Sequence, residues 1–224
     1  MIRTLLRAPA GPAEIVADLL RVVAVGSIFV AGAGWGLLSG LSFVSAFVVM
    51  LVPRLLRLRP AFDIAFGALI LASTWSSVLN IYITTRWWDI PMHFATNGLS
   101  AALVYIVLVQ IRVLADPSTL PHPTLSAALV TTAIGFSIGV FWEFFEWVGH
   151  NFIDHGILVG YDDSLGDLLW GGLGSLLAGF GMAYFMAEPR ARAAEPATES
   201  RAETANAAGA AGATGAAGAA GTAD

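Results

Sequence analysis

The chain has 224 residues, of which 57% are hydrophobic and 12% are charged, and its formal net charge is −5. Soluble domains carry about 25% charged residues, so this composition indicates a membrane protein. A negative chain without a basic patch is not expected to bind nucleic acid, and the absence of cysteine excludes disulfides and thiolate metal sites.

The first apolar segment contains no charged residue from Val22 to Pro53. It is too long for one membrane span of about 20 residues and a little short for two complete spans. A glycine cluster in its middle, GAGWGLLSG, predicts a hairpin of two helices at 15–36 and 40–54. A single long tilted helix is the alternative interpretation.

Four further apolar segments can each form a helix of about 20 residues or more. They are Ile64–Thr85, Ile90–Ile111, Thr124–Phe152 and Leu168–Ala187. Six spans place ten of the eleven arginines on one side and only Arg86 on the other, whereas five spans would move Arg3 and Arg7 away from the rest. Because basic residues concentrate on the cytoplasmic side, we expect an all-α bundle of about six transmembrane helices with both termini in the cytoplasm.

The two ends of the chain differ from its middle. A cleaved signal peptide is disfavoured because Asp18 and Arg21 interrupt the apolar core that it would need. The sequence therefore predicts a cytoplasmic segment at 1–14 and a six-helix transmembrane domain at 15–187. Residues 188–224 are rich in alanine and glycine, have nothing large to bury, and are expected to form a disordered cytoplasmic tail.

Three clusters of ionisable and polar residues lie at the predicted outer, non-cytoplasmic ends of the last three spans. Each cluster occupies one helical face by the 3.6-residue period. The clusters are Asp89, His93 and Asn97 in the fourth span, Glu143, Glu146 and His150 in the fifth, and Asp163 and Asp167 at the start of the sixth.

Each of these faces continues inward as a stripe of small residues. The stripes are Ser100 and Ala101 below Asn97, Gly139 and Gly135 below Glu143, and Gly171, Gly174, Ala178 and Gly181 below Asp167. In lipid, faces of small residues let helix backbones approach closely. We therefore expect the acids to face inward, toward one another.

This convergence would place five carboxylates in one partly dry site, with Arg86 as the only nearby residue of fixed positive charge. Like charges a few Å apart in a low dielectric cannot all remain ionised, so either protons or a bound cation must accompany them. Carboxylates with an imidazole suit Zn²⁺, Mn²⁺ or Fe²⁺, and carboxylates alone suit Mg²⁺ or Ca²⁺. The expected ligands of a divalent cation are Asp89, His93, Glu143, Glu146, Asp163 and Asp167, with Glu143 and Glu146 as the candidate catalytic residues.

Each residue also has a purely structural interpretation. Acids are favoured in the first turn of a helix, which applies to Asp89, Asp163 and Asp167. The helix dipole disfavours acids near a C-terminus, so a structural role explains Glu143 and Glu146 least well. The histidine could instead bond a neighbouring helix.

Other polar and aromatic residues receive structural interpretations. Asp63 is most simply an acid at a helix start, and Asn80 is only a weak candidate for the site. The residues expected in a solvated loop are His150, Asp154, His155 and Asp162. The tryptophans typical of an interfacial belt are Trp87, Trp88, Trp142 and Trp147.

At these residues the chain resembles the bacterial inner-membrane proteins of the YjdF type. The resemblance rests on D-x-x-x-H at Asp89 and His93, on the WExxEW block around Glu143 and Glu146, and on D-x-x-x-D-x-L from Asp163. It covers roughly residues 15–187, and a more distant similarity is to VanZ-like membrane proteins. The resemblance implies a multi-span protein of the bacterial inner membrane and implies no particular reaction.

Three classes of function remain open. The first is a metal-dependent enzyme that acts on a lipid or envelope component with a metal-activated water. The second is a cation- or proton-binding transporter, which is disfavoured because transporter sites usually lie near the bilayer midplane. The third is a membrane scaffold whose acids only cap helices. The one-sided site favours the enzyme.

Overall fold

The computed structural model describes residues 7–157 and 159–187, and all regular secondary structure in this part of the chain is helical. The expected all-α fold is therefore confirmed. The six long helices are α1 (Pro12–Trp35), α2 (Leu37–Leu55), α3 (Pro60–Val78), α4 (Arg86–Gln110), α5 (Pro123–Phe152) and α6 (Tyr161–Phe180). Shorter helical turns lie at Ile81–Thr84, Pro117–Thr119 and Met182–Phe185.

Five of these helices, α1 to α5, are long and apolar enough to cross a membrane. Helix α6 has 20 residues, but three aspartates and five glycines make it less apolar than the others. A sixth span and the cytoplasmic placement of both termini therefore stay predictions. The domain limits at 1–14, 15–187 and 188–224 also stay predictions, and the tail lies outside the described residues.

The first apolar segment reverses direction at Gly36. Its φ of 94° lies in the left-handed region that favours glycine. Gly32, before the turn, and Gly40, after it, face each other so closely that a Cβ at Gly40 would lie 3.2 Å from the Gly32 Cα. The predicted hairpin of two helices is confirmed, and the single long helix is excluded.

A buried network of ion pairs joins α1, α2 and α3. Arg21, which is only 6% exposed, contacts Asp18 at 3.0 Å and Asp63 at 2.5 Å and donates to the Met50 carbonyl at 3.1 Å. Arg54 contacts Asp18 at 2.9 Å, so two guanidinium groups neutralise two carboxylates. Asp63 does lie in the first turn of α3, but its buried pairing with Arg21 was not expected from the sequence.

The third and fourth spans have different limits from those predicted. Helix α3 ends at Val78, before Thr85, because Asn80 takes a left-handed backbone with φ of 55°. Helix α4 begins at Arg86, before Ile90. Asn80 is exposed and does not contribute to the candidate site described below.

The sixth span also has different limits. Helix α6 begins at Tyr161, seven residues before the predicted Leu168, and ends at Phe180. Two consequences follow for the predicted site. Asp163 and Asp167 lie within regular helix, and Gly181 ends α6 and does not continue its inner stripe.

Two apolar cores hold the bundle together. One lies among α1, α2 and α3 and includes Phe43 and Met50. The other joins α3 to the last three helices and includes Phe66, Tyr105 and Met182. Large apolar side chains also cover the outer surface, as expected where helices face lipid chains in place of water. The candidate site lies at one end of α4, α5 and α6.

Candidate functional site

Helix α4 starts with an irregular backbone that presents the site residues. A 3₁₀ turn at Arg86–Trp88 leads into an α-helical turn at Asp89–Met92, and a π-helical turn follows at His93–Asn97. From Gly98 the helix is regular. Single π-helical turns are rare and are frequently found at functional sites. Here the turn carries both His93 and Asn97.

The His93 imidazole lies between two aspartates from different helices. Its Nε2 atom is 3.2 Å from Asp89 Oδ1 in α4 and 3.3 Å from Asp167 Oδ2 in α6. One imidazole nitrogen carries at most one proton, so it can donate a full hydrogen bond to only one of these carboxylates. The three ligand atoms lie within 4.8 Å of one another.

Glu143 and Glu146 of α5 meet the same aspartate from the other side. One oxygen from each glutamate and one from Asp167 also lie within 4.8 Å of one another. The Glu143 Oε1 atom is buried and has no hydrogen-bond partner. Within residues 7–157 and 159–187, neither glutamate forms an ion pair with an arginine, so the site has an excess of negative charge.

Asp167 belongs to both groups and is the most buried acid of the site, at 7% exposed. The structure thus brings together five of the six predicted ligands. Asp163, one helical turn earlier on α6, is partly buried and lies outside both groups. Arg86 is exposed and contributes positive charge near Asp163.

Asn97 forms the inner limit of the site, one turn below His93. Its side chain is buried, and its Nδ2 donates to the Gly135 carbonyl at 3.1 Å. Its Oδ1 has no partner. Gly139 and Gly171 flank the amide, and a Cβ at Gly171 would collide with Nδ2. Only glycine at this position of α6 leaves room for the asparagine.

The stripes of small residues below the acids pack against one another. A Cβ at Gly174 would collide with the Phe94 carbonyl oxygen, and a Cβ at Gly98 would lie 2.7 Å from the Gly174 carbonyl oxygen. A Cβ at Gly135 would likewise collide with Ser175. The backbones of α4 and α6 are therefore in contact beside Asn97, and α5 packs against the Ser175 side chain of α6, in agreement with the expected inward orientation of these faces.

Tyr82 is a neighbour of the site that the sequence pattern did not single out. It lies in the short turn after α3, and its hydroxyl is 2.9 Å from Ser73 Oγ. Burial, together with the negative charge of Asp89, Asp167 and Glu146, raises the pKa of Tyr82 to about 12. The hydroxyl also donates to the Ser73 carbonyl at 3.4 Å, so Ser73 is its partner on both counts. A single tyrosine in an apolar turn gives no periodic signal that would have revealed it.

Tryptophans surround this end of the bundle. Trp87, Trp142 and Trp147 are exposed, as expected for an interfacial belt, whereas Trp88 is half-buried and donates to Ser76 Oγ at 2.9 Å. His150 is still part of α5 and bonds the Ile157 carbonyl through Nδ1 at 2.7 Å, so it is tied to the following loop and not to the acids.

Comparison with protein families matches residues 14–188 to the family described as predicted membrane protein (DUF2238). The chain belongs to this family. The match covers α1 from Glu14 onward, the other five long helices and every candidate ligand, and the YjdF-type proteins that the sequence resembles are DUF2238 members, so the resemblance is confirmed. No curated protein and no solved structure matches the chain. Membership identifies a DUF2238 membrane protein and carries no reaction with it.

Proposed function

We propose that the chain is a metal-dependent membrane enzyme of the bacterial inner membrane that acts on a lipid or envelope component. Its site is formed by the ends of α4, α5 and α6, and its proposed cofactor is a divalent cation. The observation that carries the proposal is the meeting of Asp89, His93, Glu143 and Glu146 at the buried Asp167 without an arginine among them.

Charge balance supports a bound cation. The ion pairs among α1, α2 and α3 neutralise Asp18 and Asp63 with two arginines. Among the described residues no arginine forms an ion pair with the acids of the candidate site, although Asp167 is as deeply buried as Asp63. Uncompensated charge near a membrane interior is costly and is typical of functional sites. The positive charge that balances these acids is therefore expected to come from outside the chain.

The surroundings of the site favour an enzyme over a transporter. Transporter sites usually lie near the bilayer midplane, where alternating access can open them to both sides. Here the acids lie near helix ends beside exposed tryptophans, and the close contacts of Gly135 with Ser175 and of Gly98 with Gly174 fill the bundle next to Asn97. Access from one side suits a substrate that diffuses along the membrane surface.

The hydrogen bonds at the site favour chemistry over a scaffold. A carboxylate that only caps a helix accepts a bond from a backbone N–H of the first turn. Neither α6 nor the α-helical turn that begins at Asp89 has a side-chain cap. Asp89 and Asp167 instead contact the His93 imidazole.

In this proposal the glutamates carry the chemistry. A bound divalent cation activates water at neutral pH. Glu143 and Glu146 would hold the cation, and a glutamate oxygen not bound to it would accept the proton that a water loses. In the proposed hydrolysis the water oxygen would bond to the acyl or phosphoryl centre, and the departing oxygen of the lipid or envelope component would take up the proton.

Metal analysis of the purified protein tests the proposal. Bound metal is removed from the detergent-solubilised protein with a chelator, and the protein is then exposed in turn to Mn²⁺, Zn²⁺, Fe²⁺ and Mg²⁺. We expect retained metal in the wild type and reduced metal in Glu143→Gln/Glu146→Gln. Asp162→Asn, an exposed acid on the same side of the bundle, is the matched control and should bind like the wild type. A wild type that retains none of these cations would refute the proposal.

The enzymatic part of the proposal requires a separate assay. The metal-loaded protein is reconstituted in vesicles of phosphatidylethanolamine and phosphatidylglycerol, and the lipids are followed by mass spectrometry. Metal-dependent loss of a lipid in the wild type but not in the double glutamine variant is the expected result. If the protein binds metal but changes no lipid, either in these vesicles or in vesicles of extracted envelope lipids, the enzymatic part of the proposal is wrong and the metal site still stands.

A further inference from the structure

We propose that the site holds two divalent cations bridged by the carboxylate of Asp167. Asp89 and His93 bind one cation, and Glu143 and Glu146 bind the other. This inference rests on the proposed function, since it specifies how many cations the same residues hold.

The geometry separates the ligands into two groups. Asp89, His93 and Asp167 form one set of three ligand atoms, and Glu143, Glu146 and Asp167 form another. Asp167 is the one residue that the two sets share. A carboxylate has two oxygens and can bind a different cation with each, which is how two-metal sites hold their cations about 3.5–4 Å apart.

The spacing within each set suits one cation. Ligand atoms that bind a transition metal at about 2.0–2.2 Å lie at most about 4.4 Å apart on opposite sides of it. The atoms of each set lie within 4.8 Å of one another. Side-chain shifts of a few tenths of an ångström would therefore bring the three atoms of either set onto one cation without movement of the helices, and water would fill the remaining coordination positions.

The charge of the site also matches two cations. Asp89, Asp167, Glu143 and Glu146 contribute four negative charges when ionised, and His93 binds metal as a neutral imidazole. One divalent cation leaves a charge of −2 in a partly buried site, and two leave none. The arginine and aspartate network of α1, α2 and α3 is neutral in the same way, with two charges of each sign.

Two buried oxygens without partners, one on a proposed ligand and one on the neighbouring Asn97, also support a bound ligand at this place. Glu143 Oε1 is buried without a hydrogen-bond partner. Asn97, only 7% exposed, has a free Oδ1 while its Nδ2 is held by the Gly135 carbonyl. Buried acceptors without partners are unfavourable, so such groups are expected where a ligand or its water completes the structure.

Mn²⁺ provides the test, because it binds carboxylate and imidazole ligands and is paramagnetic. The full-length protein is stripped in detergent, titrated with Mn²⁺ by calorimetry, and analysed for bound manganese. We expect two Mn²⁺ per chain and an electron paramagnetic resonance spectrum of a spin-coupled pair. One Mn²⁺ per chain without coupling would overturn the two-cation inference and leave the proposed function standing. No bound Mn²⁺, Zn²⁺, Fe²⁺ or Mg²⁺ would overturn both.

Variants assign the two positions. Asp89→Asn/His93→Gln and Glu143→Gln/Glu146→Gln should each retain one Mn²⁺ and lose the coupled spectrum. Asp167→Asn removes the bridge and should weaken both positions by more than about tenfold, since even indirect support of a ligand is worth 10–100-fold in affinity. Asp162→Asn should keep two. Loss of both cations in all three site variants, with the helical circular dichroism unchanged, would indicate one shared position and contradict the inference.

Discussion

The imidazole of His93 and the carboxylate of Asp167 lie 3.3 Å apart, Nε2 to Oδ2, across the interface between α4 and α6. The two residues are 74 positions apart in the chain. Their contact depends on the π-helical turn that carries His93 and on the glycines of α6 that let this turn approach. The packing of α4 against α6 therefore forms the site. A ligand that binds there should stabilise the folded protein.

Metal should stabilise the folded protein in this way. A ligand that binds only the folded state contributes RT ln(1 + [L]/Kd), about 2.7 kcal/mol at one hundred times Kd. Added Mn²⁺ should therefore raise the melting temperature of the wild type in detergent, measured by differential scanning fluorimetry. The Glu143→Gln/Glu146→Gln variant should respond less, and Asp162→Asn should respond like the wild type. Equal responses in all three proteins would place the metal elsewhere.

Tyr82 should make stability depend on alkaline pH. Its pKa is raised from 10.0 to about 12, chiefly by burial, so the fold favours the neutral phenol. This contribution is fully present below about pH 10 and is lost as the pH rises toward 12. In metal-free protein, the wild type should lose stability relative to Tyr82→Phe across this range. The difference in phenolate absorbance between the two proteins reports the pKa directly, and a value near 10 would show that the phenol is exposed to water.

Glycines on α6 offer a prediction with an internal control. A Cβ at Gly174 would collide with the Phe94 carbonyl oxygen, whereas a Cβ at Gly166 meets nothing within 4 Å. Gly174→Ala should therefore destabilise the protein by about 1–3 kcal/mol and weaken metal binding, because the turn that carries His93 must move. Gly166→Ala should be neutral or stabilising by up to about 1 kcal/mol. The melting temperatures and Mn²⁺ affinities of both variants measure this, and equal effects would contradict the close packing of α4 and α6.

Helical periodicity was enough to predict the faces of the site. In a helix the spacing of Asp89 from His93, and of Glu143 from Gly139, fixes one face, and small residues along a face indicate where helices meet in lipid. Asn97 was found on the same stripe in this way. These inferences need only the period of the helix and no knowledge of its partners.

Features that depend on local irregularity or on distant partners could not be predicted. Periodicity assumes a regular helix, so it does not reveal the π-helical turn at His93–Asn97 or the early start of α6 at Tyr161. An arginine near a helix end indicates topology, but the burial of Arg21 against Asp63, 42 positions away, is a property of packing alone. Tyr82 lies in the short turn after α3, outside the helical faces on which the prediction of the site was based.

The orientation of the bundle and the number of its spans can be measured with reporter fusions. The prediction of both termini in the cytoplasm rests on the arginines, ten on one side and Arg86 on the other. Reporters at Gly40, Arg86 and His155 should therefore lie outside, and reporters at Arg57, Asp116 and Glu195 inside. Outside signals at Arg57 and Asp116 would invert the bundle and place the acids on the cytoplasmic side.

The pair of fusions at His155 and Glu195 decides whether α6 crosses the membrane. Helix α6 is less apolar than α1 to α5. It can cross the membrane only with Asp167 turned toward α4 and α5, because a carboxylate that faces lipid is unfavourable. Because its glycines pack against those helices along most of their length, we expect α6 to cross with them and Glu195 to report inside. If both reporters lie on the same side, the chain has five spans. The same two fusions in Glu143→Gln/Glu146→Gln test whether α6 crosses the membrane only when the site binds a cation.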